Sequence, residues 1–107
     1  MRVELVQSGG FAGLRIASVV DSKTLSISEE RLLSGAFDRA KFFALPPKRV
    51  SGMPDVIQYR LSADLAGRRH EITFDAQTAD SELTDLVERI VRLAEKAGKS
   101  RPGKRRG

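Results

Sequence analysis

The chain contains two pairs of segments in which apolar and polar residues alternate, and each pair is followed by a segment with helical spacing. Residues 2–8 and 14–20 alternate in the first pair, and Ile57–Leu65 and Arg68–Asp75 alternate in the second. Alternation with a period of two is typical of a strand that buries one face. Each pair is joined by a short segment that contains glycine, which predicts two β-hairpins.

The segment after the first hairpin predicts a helix that begins near Ser26. Ser26 stands three residues before Glu29, the spacing of a capping box, in which each side chain binds a free backbone amide of the first turn. Pro46 and Pro47 are expected to end this helix, because proline has no amide hydrogen to donate. The apolar residues at helical spacing are Leu33, Phe37, Ala40 and Phe43/Ala44.

The segment after the second hairpin predicts an amphipathic helix over residues 81–97, which ends at Gly98. Its apolar stripe consists of Leu83, Leu86, Val87, Ile90, Val91 and Ala94. The resulting order, ββαββα, predicts an α+β domain. We expect an antiparallel four-stranded sheet with two helices on one face.

Length and charge distribution predict one domain and a basic tail. The 107 residues suffice for a single core, and the absence of cysteine excludes disulfides and thiolate metal sites. Five of the 19 basic residues lie in residues 99–107, which contain no acid, so residues 1–98 hold 14 bases and 14 acids. We therefore expect a domain at 1–98 and a disordered basic tail at 99–107.

The residues favour no catalytic or metal site. His70 is the only histidine, and the segment His70–Phe74 departs from the zinc-protease pattern H-E-x-x-H, since phenylalanine replaces the second ligand. The glycines of Ser8–Gly13 lack the lysine and spacing of a phosphate-binding loop. We therefore expect a protein that is not an enzyme and that needs no cofactor and no metal.

Two loops are candidate surfaces for protein recognition. Phe11 stands among glycines in the first hairpin turn, where a large apolar side chain can enter a partner's pocket. Phe11 folded back as a lid over the core is an equally good interpretation. The proline-rich loop at 46–54 is the second candidate, because prolines reduce the entropy lost on binding, although an ordinary connection explains it better.

The sequence resembles the emfourin family over residues 1 to about 91. The segments that carry the resemblance are M-x-V-x-L at the start, Ser8–Arg15, Pro54-Asp55, Tyr59-Arg60-Leu61, Arg69–Asp75 and Leu83-x-x-Leu86-Val87. The chain departs from the family pattern in its basic segment after Gly98 and in the absence of a proline from residues 76–81.

The resemblance implies a function. Emfourins are small bacterial inhibitors of thermolysin-like zinc metallopeptidases of the protealysin type. These peptidases favour a bulky apolar side chain just after the scissile bond. A protruding loop that carries such a side chain would block the protease cleft sterically. Mapped onto this chain, the protease-binding residues are Gly9, Gly10, Phe11, Ala12 and Gly13, with Arg15 as a nearby charge.

The sequence also leaves an alternative role open and indicates where the protein is located. A nucleic-acid-associated or assembly-partner protein, acting through residues 99–107 or another surface, is the alternative, but a short basic tail binds phosphates only weakly and without specificity. No signal peptide or membrane-spanning run occurs in the sequence. We therefore expect a cytoplasmic protein that is monomeric on its own and does not bind membranes.

Overall fold

The computed structural model describes residues 1–10 and 13–98 in full and the backbone of residues 100–102. Its helices and strands, in chain order, are β1 (Arg2–Gly9), β2 (Leu14–Asp21), α1 (Ile27–Arg39), β3 (Lys48–Arg49), β4 (Ile57–Leu65), β5 (Arg68–Asp75), α2 (Ser81–Lys96) and β6 (Ser100–Pro102). The α+β class, the two hairpins and the two helices predicted from the sequence are confirmed.

The strands form one sheet in the order β3-β5-β4-β1-β2-β6. All neighbouring strands are antiparallel except β3, which runs parallel to β5. The expected four-stranded antiparallel sheet is therefore wrong, because a short strand is added at each edge and one of them makes the sheet mixed. The element order is ββαβββαβ instead of ββαββα.

Both additional strands are too short to show an alternating pattern. β3 has two residues, and the Thr73 amide donates to the carbonyl of Pro47 just before it (2.8 Å). The backbone of β6 pairs with residues 16–18 of β2. Ser100–Pro102, which belong to the expected disordered basic tail at 99–107, therefore pair with the sheet, while residues 99 and 103–107 lie outside the described residues.

The first helix begins as predicted and ends earlier than predicted. The Ser26 hydroxyl accepts from the Glu29 amide (3.1 Å) and the Glu29 carboxylate accepts from the Ser26 amide (2.9 Å), so the capping box is confirmed. α1 ends at Arg39, before the prolines, because Lys41 adopts a left-handed conformation (φ 54°). A short 3₁₀ turn follows and buries Phe42 in the core.

The core lies between one face of the sheet and both helices, and we call the opposite face of the sheet the outer face. Alternation along each strand sends every second side chain into this core, and burial of such a side chain contributes about 1.5–3 kcal/mol. The largest fully buried side chains are Val3, Leu5, Val20, Leu33, Phe37, Phe42, Leu61, Ile72, Phe74, Leu83, Leu86 and Ile90.

Within the described residues, neither helix has the length and apolar character needed to cross a membrane.

Candidate functional site

The first hairpin turns over residues 10–13, where the Gly13 amide donates to the Gly10 carbonyl (3.3 Å). Gly9 (φ 86°) and Gly10 (φ 73°) adopt backbone conformations that residues with a Cβ rarely tolerate. The turn therefore depends on its glycines. Phe11 and Ala12, which complete the predicted contact loop, lie outside the described residues.

The start of β4 supports the base of this turn. Gly9 pairs with Ile57, and a Cβ on Gly9 would lie only 3.3 Å from the Val56 carbonyl oxygen. A Cβ on Gly10 would lie 3.4 Å from the Ile57 Cγ1 atom. The Ala76 amide, just after β5, donates to the Ile57 carbonyl (3.0 Å). We call this end of the sheet, where the hairpin turn, the start of β4 and the end of β5 meet, the hairpin end.

The proline-rich loop reaches the same end of the sheet. Because β3 runs parallel to β5, the chain leaves β3 at the point where β5 ends. The loop then crosses this end before β4 begins at Ile57. The two loops that the sequence marks as candidate surfaces therefore lie side by side, which their separation in the chain does not indicate.

A buried carboxylate holds the proline-rich loop in place. Asp75 Oδ2 accepts from the Ser51 amide (2.6 Å) and hydroxyl (2.7 Å). Asp75 Oδ1 accepts from the amides of Gln77 (2.9 Å) and Thr78 (3.1 Å), and the Thr78 hydroxyl donates to the Arg49 carbonyl (2.7 Å). We call Asp75, Ser51, Gln77 and Thr78 the Asp75 cluster. It ties the loop to the end of β5 across 24 positions of sequence.

The hydrogen bonds of the Asp75 cluster favour the ionised carboxylate. Burial by itself raises the pKa of Asp75, because a charged group is less stable away from water. The donors of Ser51, Thr78 and Gln77 outweigh this effect and hold the pKa of Asp75 below its ordinary value of 3.8. The contribution of Asp75 to stability is therefore complete above about pH 3.8 and is lost as the pH falls through the lower folded-state value.

This pKa can be measured through a neighbouring amide. We expect the Ser51 amide resonance to move with pH as Asp75 takes up a proton, because that amide donates to the carboxylate. The midpoint should lie below 3.8. An NMR titration of the wild-type protein measures this midpoint, and a value at or above 3.8 would contradict the argument that hydrogen bonding dominates.

Apolar side chains gather at the hairpin end. Leu14, Val50 and Met53 are 42%, 37% and 51% exposed, although each has an apolar side chain that burial would stabilise. The other exposed large apolar residues of the described chain, Ile27 and Leu32, belong to α1. The hairpin end therefore offers apolar surface on both of its loops, as protein-binding surfaces commonly do.

A groove opens beside the hairpin end, between α2 and the core face of the sheet. Its volume is about 460 Å³. Tyr59 lies in this groove, stacked on Phe74 (ring centroids 5.0 Å apart), and burial and then the negative charge of Glu88 raise its pKa above the ordinary value. The lining residues include Gln7, Tyr59, Ala79, Val87, Glu88 and Val91.

His70 lies away from the hairpin end. Its Nε2–H donates to the Leu45 carbonyl (2.8 Å), and its ring packs edge-on against Phe42 (5.3 Å). Both contacts fix the loop after α1, so the imidazole has a structural role. Among the described residues, no three His, Asp or Glu side chains form a group that could hold a metal ion.

The structure places four of the six predicted site residues. Gly9, Gly10 and Gly13 form the base of the turn, and Arg15 is exposed on the outer face, while Phe11 and Ala12 are outside the described residues. Sequence analysis missed the Asp75 cluster and the exposed apolar side chains. The only local signal is the Asp75-Ala76-Gln77-Thr78 segment, whose polar side chains can bind backbone amides in a turn.

A comparison with protein families relates the chain to known proteins. A family model described as Emfourin matches residues 5–91. Comparisons with curated proteins and with solved structures give no match. The matched range includes most of the first hairpin, the whole second hairpin, the Asp75 cluster and most of α2. The chain belongs to the emfourin family.

Proposed function

We propose that this protein inhibits a thermolysin-like metalloprotease of the protealysin type by placing its hairpin end in the substrate cleft. The observation that carries the proposal is the position of two loops at one end of a sheet in an emfourin domain, with three exposed apolar side chains on them. The protein acts as a binding module and performs no catalysis of its own. The inhibitory domain comprises residues 1–98 together with β6 (Ser100–Pro102), which extends the sheet, and it works as a monomer.

The contact loop is Gly9, Gly10, Phe11, Ala12 and Gly13, with Arg15 as a neighbouring charge. Phe11 supplies the bulky apolar side chain that such proteases favour after the scissile bond. The β4 strand and the Asp75 cluster support the neighbouring backbone before binding, so the hairpin end loses little conformational freedom in the complex. A rigid backbone also resists the distortion that cleavage of a bound loop requires.

Inhibition acts through steric blocking rather than through removal or ligation of the catalytic zinc. The chain has no cysteine, and its single imidazole is bound to the Leu45 carbonyl inside the fold. A thiolate or imidazole is the side chain that binds zinc most strongly. The complex therefore contains a protease that keeps its metal.

The test is a titration of a thermolysin-like protease with the purified protein. We expect cleavage of a peptide substrate to fall in proportion to inhibitor added until one equivalent is present, with the zinc content of the enzyme unchanged. A serine protease of unrelated fold is the control and should retain full activity. The absence of inhibition against several thermolysin-like enzymes would overturn the proposal.

A further inference from the structure

The two halves of the outer face of the sheet differ in charge. In the half far from the hairpin end, Arg2 pairs with Glu4 (3.0 Å) and Asp21 (3.5 Å), and Arg69 pairs with Asp64 (3.2 Å). Both cations of this half are therefore paired with carboxylates, and with Glu71 the half carries four acids in all. This half offers no unpaired cation to an acidic partner.

The exposed side chains of the half next to the hairpin end carry positive charge, because the carboxylate of this half, Asp75, is buried under the proline-rich loop. Arg15, Arg60 and Lys48 are exposed, and none of them forms an ion pair with any described residue. The nearest exposed acids on the strands of this face are Glu4 and Glu71, one row further along the strands. Their carboxylates already bind Arg2 and the Ser62 hydroxyl (2.8 Å). We call Arg15, Arg60 and Lys48 the basic half-face.

Strand pairing fixes the arrangement of the basic half-face. Arg60 and Lys48 both pair with Thr73 from opposite sides, so they lie in one row and about 10 Å apart. Arg15 and Arg60 line one shallow depression of about 160 Å³. Ser8, Gln58 and Thr73 also line it and add hydroxyl and amide donors. Donors and cations on one surface are suited to carboxylates.

The basic half-face is continuous with the hairpin end. Arg15 directly follows the exposed Leu14 at the start of β2. A protein that holds the hairpin end therefore also meets this positive surface.

We propose that the basic half-face binds an acidic surface of the same protein that receives the hairpin end, namely a rim of Asp and Glu side chains beside the protease cleft. This inference rests on the proposed function. Exposed ion pairs add little to affinity, because water and salt screen them. Their main effect is on the rate of association, which complementary charge accelerates before contact.

The test measures association and dissociation rates with an acidic thermolysin-like protease as the probe. At about 20 mM salt, Arg60→Glu and Arg15→Glu should each lower the association rate constant roughly three- to tenfold. At about 500 mM salt the difference from wild type should shrink to less than about twofold, since the Debye length is then shorter than the span of the face. The dissociation rate of Arg60→Glu should stay within about twofold of wild type.

Arg31→Glu is the matched control. Arg31 is an exposed residue of α1, on the helix side of the sheet, and the substitution changes the net charge by the same amount. Its association rate should stay within about twofold of wild type. An equal loss in Arg31→Glu would show an effect of net charge alone and would overturn the inference.

Other outcomes separate this inference from the proposed function. If the wild-type protein inhibits the protease but neither salt nor Arg60→Glu alters the association rate, the binding role of the basic half-face is overturned. The proposed function then stands. No inhibition by the wild-type protein would overturn the proposed function and this inference with it. The wild-type protein could instead bind duplex DNA tightly, with Arg60→Glu abolishing this binding and leaving the inhibition kinetics unchanged. This result would assign the basic half-face to nucleic acid and overturn the inference.

Discussion

Phe11→Ala is expected to weaken inhibition of a thermolysin-like protease at least tenfold, about 1.4 kcal/mol of binding free energy. Truncation removes the one large apolar side chain of the contact loop and leaves the protease pocket that received it unfilled. Gly9, Gly10 and Gly13 keep the turn formed, because the Gly13 amide bonds to the Gly10 carbonyl without the phenyl ring. The measurement is the inhibition constant from steady-state assays over a range of inhibitor concentrations.

Leu32→Ala is the matched control for this substitution. Leu32 is also an exposed apolar side chain, 58% exposed, but it lies on α1 away from the hairpin end. The Leu32→Ala variant should inhibit the protease as strongly as the wild-type protein does. Thermal unfolding distinguishes the two interpretations of Phe11: loss of inhibition at an unchanged Tm supports contact with the protease, whereas unchanged inhibition with a lower Tm would show that the ring covers the core.

The sequence predicts those parts of the fold in which many neighbouring residues repeat one pattern. β4 and β5 lie at the predicted bounds, because a strand between a buried and a solvated face must alternate along its whole length. α1 begins where the capping box indicates, since Ser26 and Glu29 bind each other's backbone amides without any help from the rest of the chain. Local interactions of this kind can be identified from local sequence.

The errors concern features that depend on distant segments. β3 exists because Thr73 offers an unpaired amide at the edge of the sheet, and nothing within residues 46–54 indicates that pairing. The early end of α1 has a similar origin. The left-handed conformation of Lys41 allows Phe42 to pack against Phe37, with ring centroids 5.1 Å apart. The free energy gained by this burial is larger than that of extending the helix to the prolines.

The candidate site was predictable only in part for the same reason. The glycine-rich turn is visible in the sequence, because positive φ angles strongly favour glycine. The position of the proline-rich loop at the same end of the sheet depends on Asp75, which the strand pattern indicates only as the last residue of a strand. Asp75 would point to the outer face and to solvent, but the loop folds over it and buries it completely. This cover makes its carboxylate a structural support of the hairpin end.

Asp75→Asn is expected to lower the Tm by roughly 5–10 °C and to weaken inhibition severalfold. An amide has one oxygen and one NH₂ group, so it can accept from Gln77 and Thr78 or from Ser51, but not from both sides. On the other side, part-buried N–H donors then face the NH₂ group without an acceptor. The proline-rich loop should detach, and faster amide exchange at Ser51 measures this directly.

Asp64→Asn tests whether the effect belongs to the Asp75 cluster rather than to the loss of any carboxylate from the sheet. Asp64 also lies on the outer face, in an exposed pair with Arg69 (3.2 Å), and such pairs contribute little to stability. Its Tm should stay within about 2 °C of wild type and its inhibition constant should not change. If Asp75→Asn detached the loop and inhibition stayed at the wild-type level, the hairpin turn alone would form the contact with the protease, and the proline-rich loop would be only a connection.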